Sequence, residues 1–337
     1  MTAYAPKPTA EQADLVAMLG AFMADQDIAP SDERPDEVAA LRRKLAELGV
    51  WTLGVPDACG GAGADDLLAA TVFAELGRGW AALGWAAVQA HAAAEVLAGR
   101  AEFAELVEGI HDGGIAIGVR DSADTADPAD TAGFPGRIDA AGAEPYALVL
   151  EGADTVRLLG PGDLRYLPLR RTGLGGALTV SAEMTGEGIR VTGVPGDVLA
   201  SARVRLRLGA ASVLAGIADA AAKAAVDYSA TRRQFGAPLT ALPTVREQLF
   251  AASSSAAVLL REVLRGADAE PWQAAAVLDT AAEAAIDACA RAVQSHGGYG
   301  YLTEYPVERL LRDAISLRAA CDPVATRRAG AADVVTS

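Results

Sequence analysis

The stretch QSHGGYGYLTEYPVERLLRDA, residues 294–314, contains the end of one helix and the start of the next. Gly297 and Gly298 follow a long segment of helical apolar spacing, where glycine commonly stops a helix. Pro306 then stands where a first helical turn tolerates proline. Helical spacing extends on both sides of this junction, over residues 206–232, 243–265, 271–294 and 306–320, with Pro243 opening the second segment. Four long helices with short links predict an antiparallel four-helix bundle, assigned to residues 203–337.

Upstream of the bundle the grammar changes. From Gly113 the chain runs in short apolar pieces, IAIGV, YALVL, TVRLL, RYLPL, ALTVS and GIRVTG, separated by Gly, Pro and Asp. Such runs predict strands of an antiparallel β domain over residues 111–202. Between the first two lies a polar, turn-rich stretch, RDSADTADPADTAGFPGRIDAAGAEP, read as a mobile surface loop. Residues 1–110 return to helical periods, at about 10–26, 36–48, 66–78 and 82–98. Gly49 stops the second of these, and Asp65 or Asp66 is placed to cap the third. The predicted class is therefore α+β, mostly α: a helical domain, a β domain and a helical bundle.

Composition narrows the function. The 337 residues carry 44 acids against 29 bases, a net charge of −15, which disfavours nucleic acid and anionic membranes as partners. Only 5% of residues are aromatic, so alanine and aliphatic side chains must fill the interior, which favours closely packed helices. Cys59, Cys289 and Cys321 are far apart and lack the spacing of a metal knuckle or disulfide framework. Neither a secretion signal nor a membrane span is read in the chain, and the expectation is a cytoplasmic protein without a structural metal.

Two motifs carry chemistry. In YSATRRQFGAPL, residues 228–239, Arg232 or Arg233 offers a planar fork suited to a pyrophosphate, and Phe235 could lie against a ring system. In QSHGGYGY, Gly297 and Gly298 let backbone amides approach a phosphate or ring, and Gln294 supplies a donor and an acceptor. Taken singly, each is explained by an ordinary helix end. His91, His111 and His296 stand at no metal spacing.

Taken together, RRQFG, QSHGGYGY and EYPVERLLRDA resemble the C-terminal domain of the acyl-CoA dehydrogenase family. LAELGVWTLGVPDACGGAGADDLLAATVFAELGR is similar to that family's entry helices and glycine turn. The resemblance implies FAD as cofactor, an acyl-CoA substrate, a carboxylate base that takes the α-proton, and electron-transfer flavoprotein as acceptor. By the same resemblance, Arg232, Gln234, Phe235, Gln294, Gly297 and Gly298 clasp the FAD of a neighbouring subunit. The family's two usual base positions fall on Cys321, followed by Asp322, and on Leu206. The loop and strand motifs that bind a member's own flavin ring are also missing from residues 119–150.

This pattern of loss implies a non-catalytic subunit of a heteromeric α2β2 acyl-CoA dehydrogenase, inactive alone, sharing FAD across a subunit interface. A bulky acyl-CoA, such as a steroid side-chain thioester, is the implied substrate. Two alternatives stay open: a stand-alone flavoenzyme with a displaced base such as Asp322, and a flavin-free scaffold or thioester-binding protein.

Overall fold

The computed structural model describes residues 9–26, 30–121, 135–169, 171–265 and 269–335. Five helices come first: α1 (Ala10–Ala24), α2 (Pro35–Glu47), α3 (Asp66–Gly79), α4 (Ala81–Leu97) and α5 (Ala104–His111). Thr9 caps α1 reciprocally with Gln12, and the Asp65 side chain accepts from the Leu68 N–H at 2.7 Å to cap α3. The short α5 was not foreseen from the sequence.

Among the described residues seven strands follow: β1 (Ile117–Asp121), β2 (Pro135–Ile138), β3 (Tyr146–Leu150), β4 (Val156–Leu159), β5 (Leu164–Pro168), β6 (Val180–Met184) and β7 (Ile189–Val191). They form two sheets, in the orders β1-β3-β4-β7 and β2-β6-β5. Pairing is antiparallel with one exception to the expected pattern, since β1 runs parallel to β3. Strand β2 lies in the stretch read as a loop; residues 122–134 of that stretch fall outside the described residues. The sheet alternation is legible in β3, where Leu148 and Leu150 face the helical core while Ala147 and Val149 join Ile138, Leu159 and Ala182 in a second core. YALVL is apolar throughout because both its faces are covered.

The remaining helices are α6 (Gly196–Thr231), α7 (Pro243–Val263), α8 (Pro271–His296), α9 (Val307–Ala320) and α10 (Pro323–Val334). Helix α6 starts ten residues before the expected boundary. The arginines in SARVRLRLG obscure the period, yet each has work inside the protein: Arg203 bonds Asp121, Arg205 bonds Glu95, and Arg207 bonds the Pro271 carbonyl. Helix α10 adds a fifth helix to the expected four. Asp322 caps it and Pro323 occupies its first turn, a pair of ordinary helix-start signals. By length and composition α6 could cross a membrane, but 72% of its most apolar window is buried inside the protein.

Helix α6 runs through the middle of the helical core, and its contact with α3 is unusually close. A Cβ on Gly77 would fall on the Val213 carbonyl oxygen, and one on Gly216 on the Ala74 carbonyl oxygen. Glycine at these two positions sets how near the two backbones can come. Behind this crossing, His91 on α4 is fully buried. It donates from Nδ1 to the Ala87 carbonyl at 2.7 Å and accepts the Gly54 N–H on Nε2 at 3.0 Å.

Burial, with Arg205 adding repulsion, pushes His91 from its ordinary value of 6.5 down to about 3. The folded state therefore holds the neutral ring. Its contribution is present in full above pH 6.5 and is lost as the pH falls toward 3. Between pH 7 and pH 5 the protein is expected to lose about 2 kcal/mol more stability than a His91→Gln variant. Urea unfolding of both proteins at the two pH values checks this; parallel losses would sink the assignment.

Candidate functional site

The last turn of α6 leads into a miniature hairpin. Strand β8 (Arg233–Gln234) pairs antiparallel with β9 (Ala237–Pro238), and the two residues between them, Phe235 and Gly236, have φ of 52° and 82°. This is the backbone of a type I′ turn, which glycine adopts freely and phenylalanine only with strain. Phe235 is 90% exposed at the tip.

Four aromatic rings fix the neighbouring end of α8. The Tyr228 ring stacks on His296 with centroids 4.2 Å apart, and Tyr305 meets both edge-on at 5.7 and 5.5 Å. Tyr299, in the tight turn Gly297–Tyr301, packs against Tyr305 and lies under the Arg232 guanidinium, 5.1 Å from its centroid. Burial lowers the His296 pKa, so the ring favours its neutral form within the stack.

This arrangement frames an open cleft of about 690 Å³. Arg232, Gln234, Gln294, Gly297 and Gly298 all line it, so five of the six clasp residues foreseen from the sequence converge there. Phe235 does not line it; the hairpin carries that ring away from the cleft and into solvent. Arg291 and Gln248 also line the cleft, bonded to each other at 2.6 Å. The sequence reading missed both, although Arg291 precedes Gln294 by three residues on α8 and so shares its face.

The residues fit a flavin dinucleotide. Arg232 and Arg291 present two guanidinium groups for a pyrophosphate. A Cβ built on Gly297 or Gly298 would meet nothing within 4 Å, so the backbone there is open to close approach.

A second cavity, of about 360 Å³, lies between α4, β1, β2, α6 and the α9–α10 junction. The two positions where the resemblance expects a base both line it: Leu206 on α6 and Cys321 at the end of α9. Leu206 has no proton chemistry. Burial pushes the Cys321 thiol up to about 12, so it stays protonated at neutral pH.

Among the described residues three carboxylates also border this cavity, and each is engaged. Asp121 accepts from Arg203 Nε at 3.1 Å on both oxygens. Asp139, 3% exposed, pairs with Arg137 at 2.5 Å, with Arg171, and accepts the Thr179 hydroxyl. Asp322 turns an oxygen to the Ala325 N–H at 3.2 Å.

A layer of short helices, two small packed sheets and a long-helix bundle make up a fold shared with solved acyl-CoA dehydrogenases. The butyryl-CoA dehydrogenase of Megasphaera elsdenii superposes with a TM-score of 0.74 at 20% identity, over 98% of this chain and 99% of that one. Residues 9–102 match the acyl-CoA dehydrogenase N-terminal domain and residues 198–320 the acyl-CoA dehydrogenase C-terminal domain. The chain belongs to the acyl-CoA dehydrogenase family.

Among curated relatives, an acyl-CoA dehydrogenase of Bacillus subtilis is 40% identical over 114 residues, which are 32% of this chain and 30% of that protein. The caffeyl-CoA reductase–Etf complex subunit CarC of Acetobacterium woodii is 35% identical over 113 residues, again 32% of this chain and 30% of the relative. The chain thus matches less than a third of the length of these relatives.

Proposed function

We propose that this chain is the non-catalytic subunit of a heteromeric FAD-dependent acyl-CoA dehydrogenase. One contrast carries the reading: five of the six clasp residues line one open cleft on the outside of the bundle, while both base positions inside the chain's own cavity are Leu206 and Cys321. Bound FAD would supply hydride acceptance, and the partner subunit would supply the base. This chain's part is to hold and orient. Arg232 and Arg291 would take the pyrophosphate, Gln294 would bond polar atoms of the cofactor, and the bare backbone at Gly297 and Gly298 would let it lie close.

The assembly we propose is α2β2, with the bundle facing the partner, and the domain units are residues 1–110, 111–202 and 203–337. Electron-transfer flavoprotein is the proposed acceptor; the likeness to a subunit of an Etf complex supports it. The proposed substrate is a bulky acyl-CoA thioester, steroid side chains included, handled in the cytoplasm.

Co-expression with an acyl-CoA dehydrogenase-like partner tests the reading. The complex is expected to be yellow and the chain alone colourless. Arg232→Ala should at least halve the FAD bound per complex, measured by flavin absorbance against protein mass. A yellow, active homo-oligomer of this chain alone would overturn the proposal, and a colourless complex would favour a scaffold.

A further inference from the structure

The chain's own cavity has lost its base positions, but it is not inert. Arg137 reaches it from β2 and Arg203 from α6. Two of the three guanidinium nitrogens of each are committed. Arg137 bonds Asp139 through Nε at 2.5 Å and the Ser316 carbonyl through Nη2 at 2.9 Å. Arg203 bonds Asp121 through Nε and the Gly152 carbonyl through Nη2 at 2.7 Å. Among the described residues neither Nη1 has a hydrogen-bond partner, and neither is among the fully buried polar atoms lacking one, so both keep some access to solvent. Each arginine is thus held in place with a donor to spare.

The local charge favours an anion. Asp139 is one carboxylate shared by two guanidinium groups, on Arg137 and Arg171, whose side chains are only 25% and 5% exposed. Burial pushes both arginines down to about 10, with Arg137 adding repulsion to Arg171. A further negative charge beside Arg137 would relieve that cost. Asp322 shares the cavity wall, but its Oδ1 is turned to the Ala325 N–H.

Trp85, Leu206 and Leu278 add an apolar patch to a wall that also carries Arg120, Asp121 and Arg207. The volume of about 360 Å³ equals about a dozen water-sized groups. Bulk phosphate has no use for an apolar floor, whereas a small acid with a hydrocarbon body uses both surfaces.

We propose that this cavity binds a compact organic acid, with its carboxylate on Arg137 and Arg203 and its hydrocarbon body against Leu206, Leu278 and Trp85. The site stands on this chain alone and does not depend on the partner subunit or on FAD.

The test is titration of the full chain with hexanoate, hexan-1-ol and sulfate, followed by calorimetry and by tryptophan fluorescence. Hexanoate is expected to bind at least about tenfold more tightly than the alcohol, the difference a charge-assisted hydrogen bond makes. Sulfate should bind far more weakly. Arg203→Gln should weaken hexanoate about tenfold, and Arg207 remains within 3.8 Å of Asp121 to support the fold. Leu206→Glu keeps both arginines but sets a carboxylate into the cavity, and should abolish binding even if Arg203→Gln does not fold. Equal affinity for acid and alcohol, sulfate binding as tightly as hexanoate, or unaltered hexanoate binding by Leu206→Glu would each overturn the proposal.

Discussion

Gly216→Val is expected to cost the fold at least about 3 kcal/mol and to leave little folded protein at 37 °C. The reason is the α3–α6 crossing. An added Cβ would collide with the Ala74 carbonyl, which is backbone and cannot rotate aside, and the reciprocal contact of Gly77 with Val213 prevents the helices from sliding to make room. Moving α6 would disturb the core it shares with α4, α7 and α8, where Ala210, Ala211, Leu214 and Ile217 are fully buried. Gly162→Ala is the control, because a Cβ there meets nothing within 4 Å, and it should shift stability by no more than about 0.5 kcal/mol. Urea unfolding compares the three proteins. A Gly216→Val protein as stable as the control would mean that the helices do not approach so closely.

Asp139→Ala is expected to be nearly as damaging, at about 3–5 kcal/mol. The carboxylate holds Arg137, Arg171 and Thr179, and it is almost wholly buried. Removing it leaves two guanidinium groups facing each other with their neutralising charge gone. The loss comes mainly from these stranded charges and less from the pairing itself. Combining Asp139→Ala with Arg171→Met should therefore recover part of the stability, and a double-mutant cycle measures how much. Strictly additive losses would show that the three residues do not act as a unit.

The bundle was legible in the sequence because its helices are long and punctuated by Pro243, Pro306 and the Gly297–Gly298 pair. What escaped was local. The first ten residues of α6 hide behind charged side chains whose partners lie more than fifty residues away, as with Arg203 and Gly152 or Arg205 and Glu95. No window of sequence shows such pairs. Strand β2 was missed because Pro135-Gly136 reads as a turn, while its pairing with β6 is decided forty-odd residues downstream. The clasp was read from motifs and five of its six residues do converge, but its aromatic underlay was not foreseen. Tyr228, His296, Tyr299 and Tyr305 meet only once the ends of α6 and α8 are brought together. Likewise, the arginine-rich lining of the second cavity depends on β2 and α6 arriving at the same place.

The hairpin tip bears on how the isolated protein should behave in a tube. Phe235 keeps an unfavourable left-handed backbone and gives its ring to water, with Phe250 and Tyr301 also largely bare at 74% and 77% exposure. Greasy rings on an otherwise acidic surface make adhesive spots that a net charge of −15 offsets only at low ionic strength. Purified by itself, the chain should be well dispersed in dilute buffer and cluster as salt is raised.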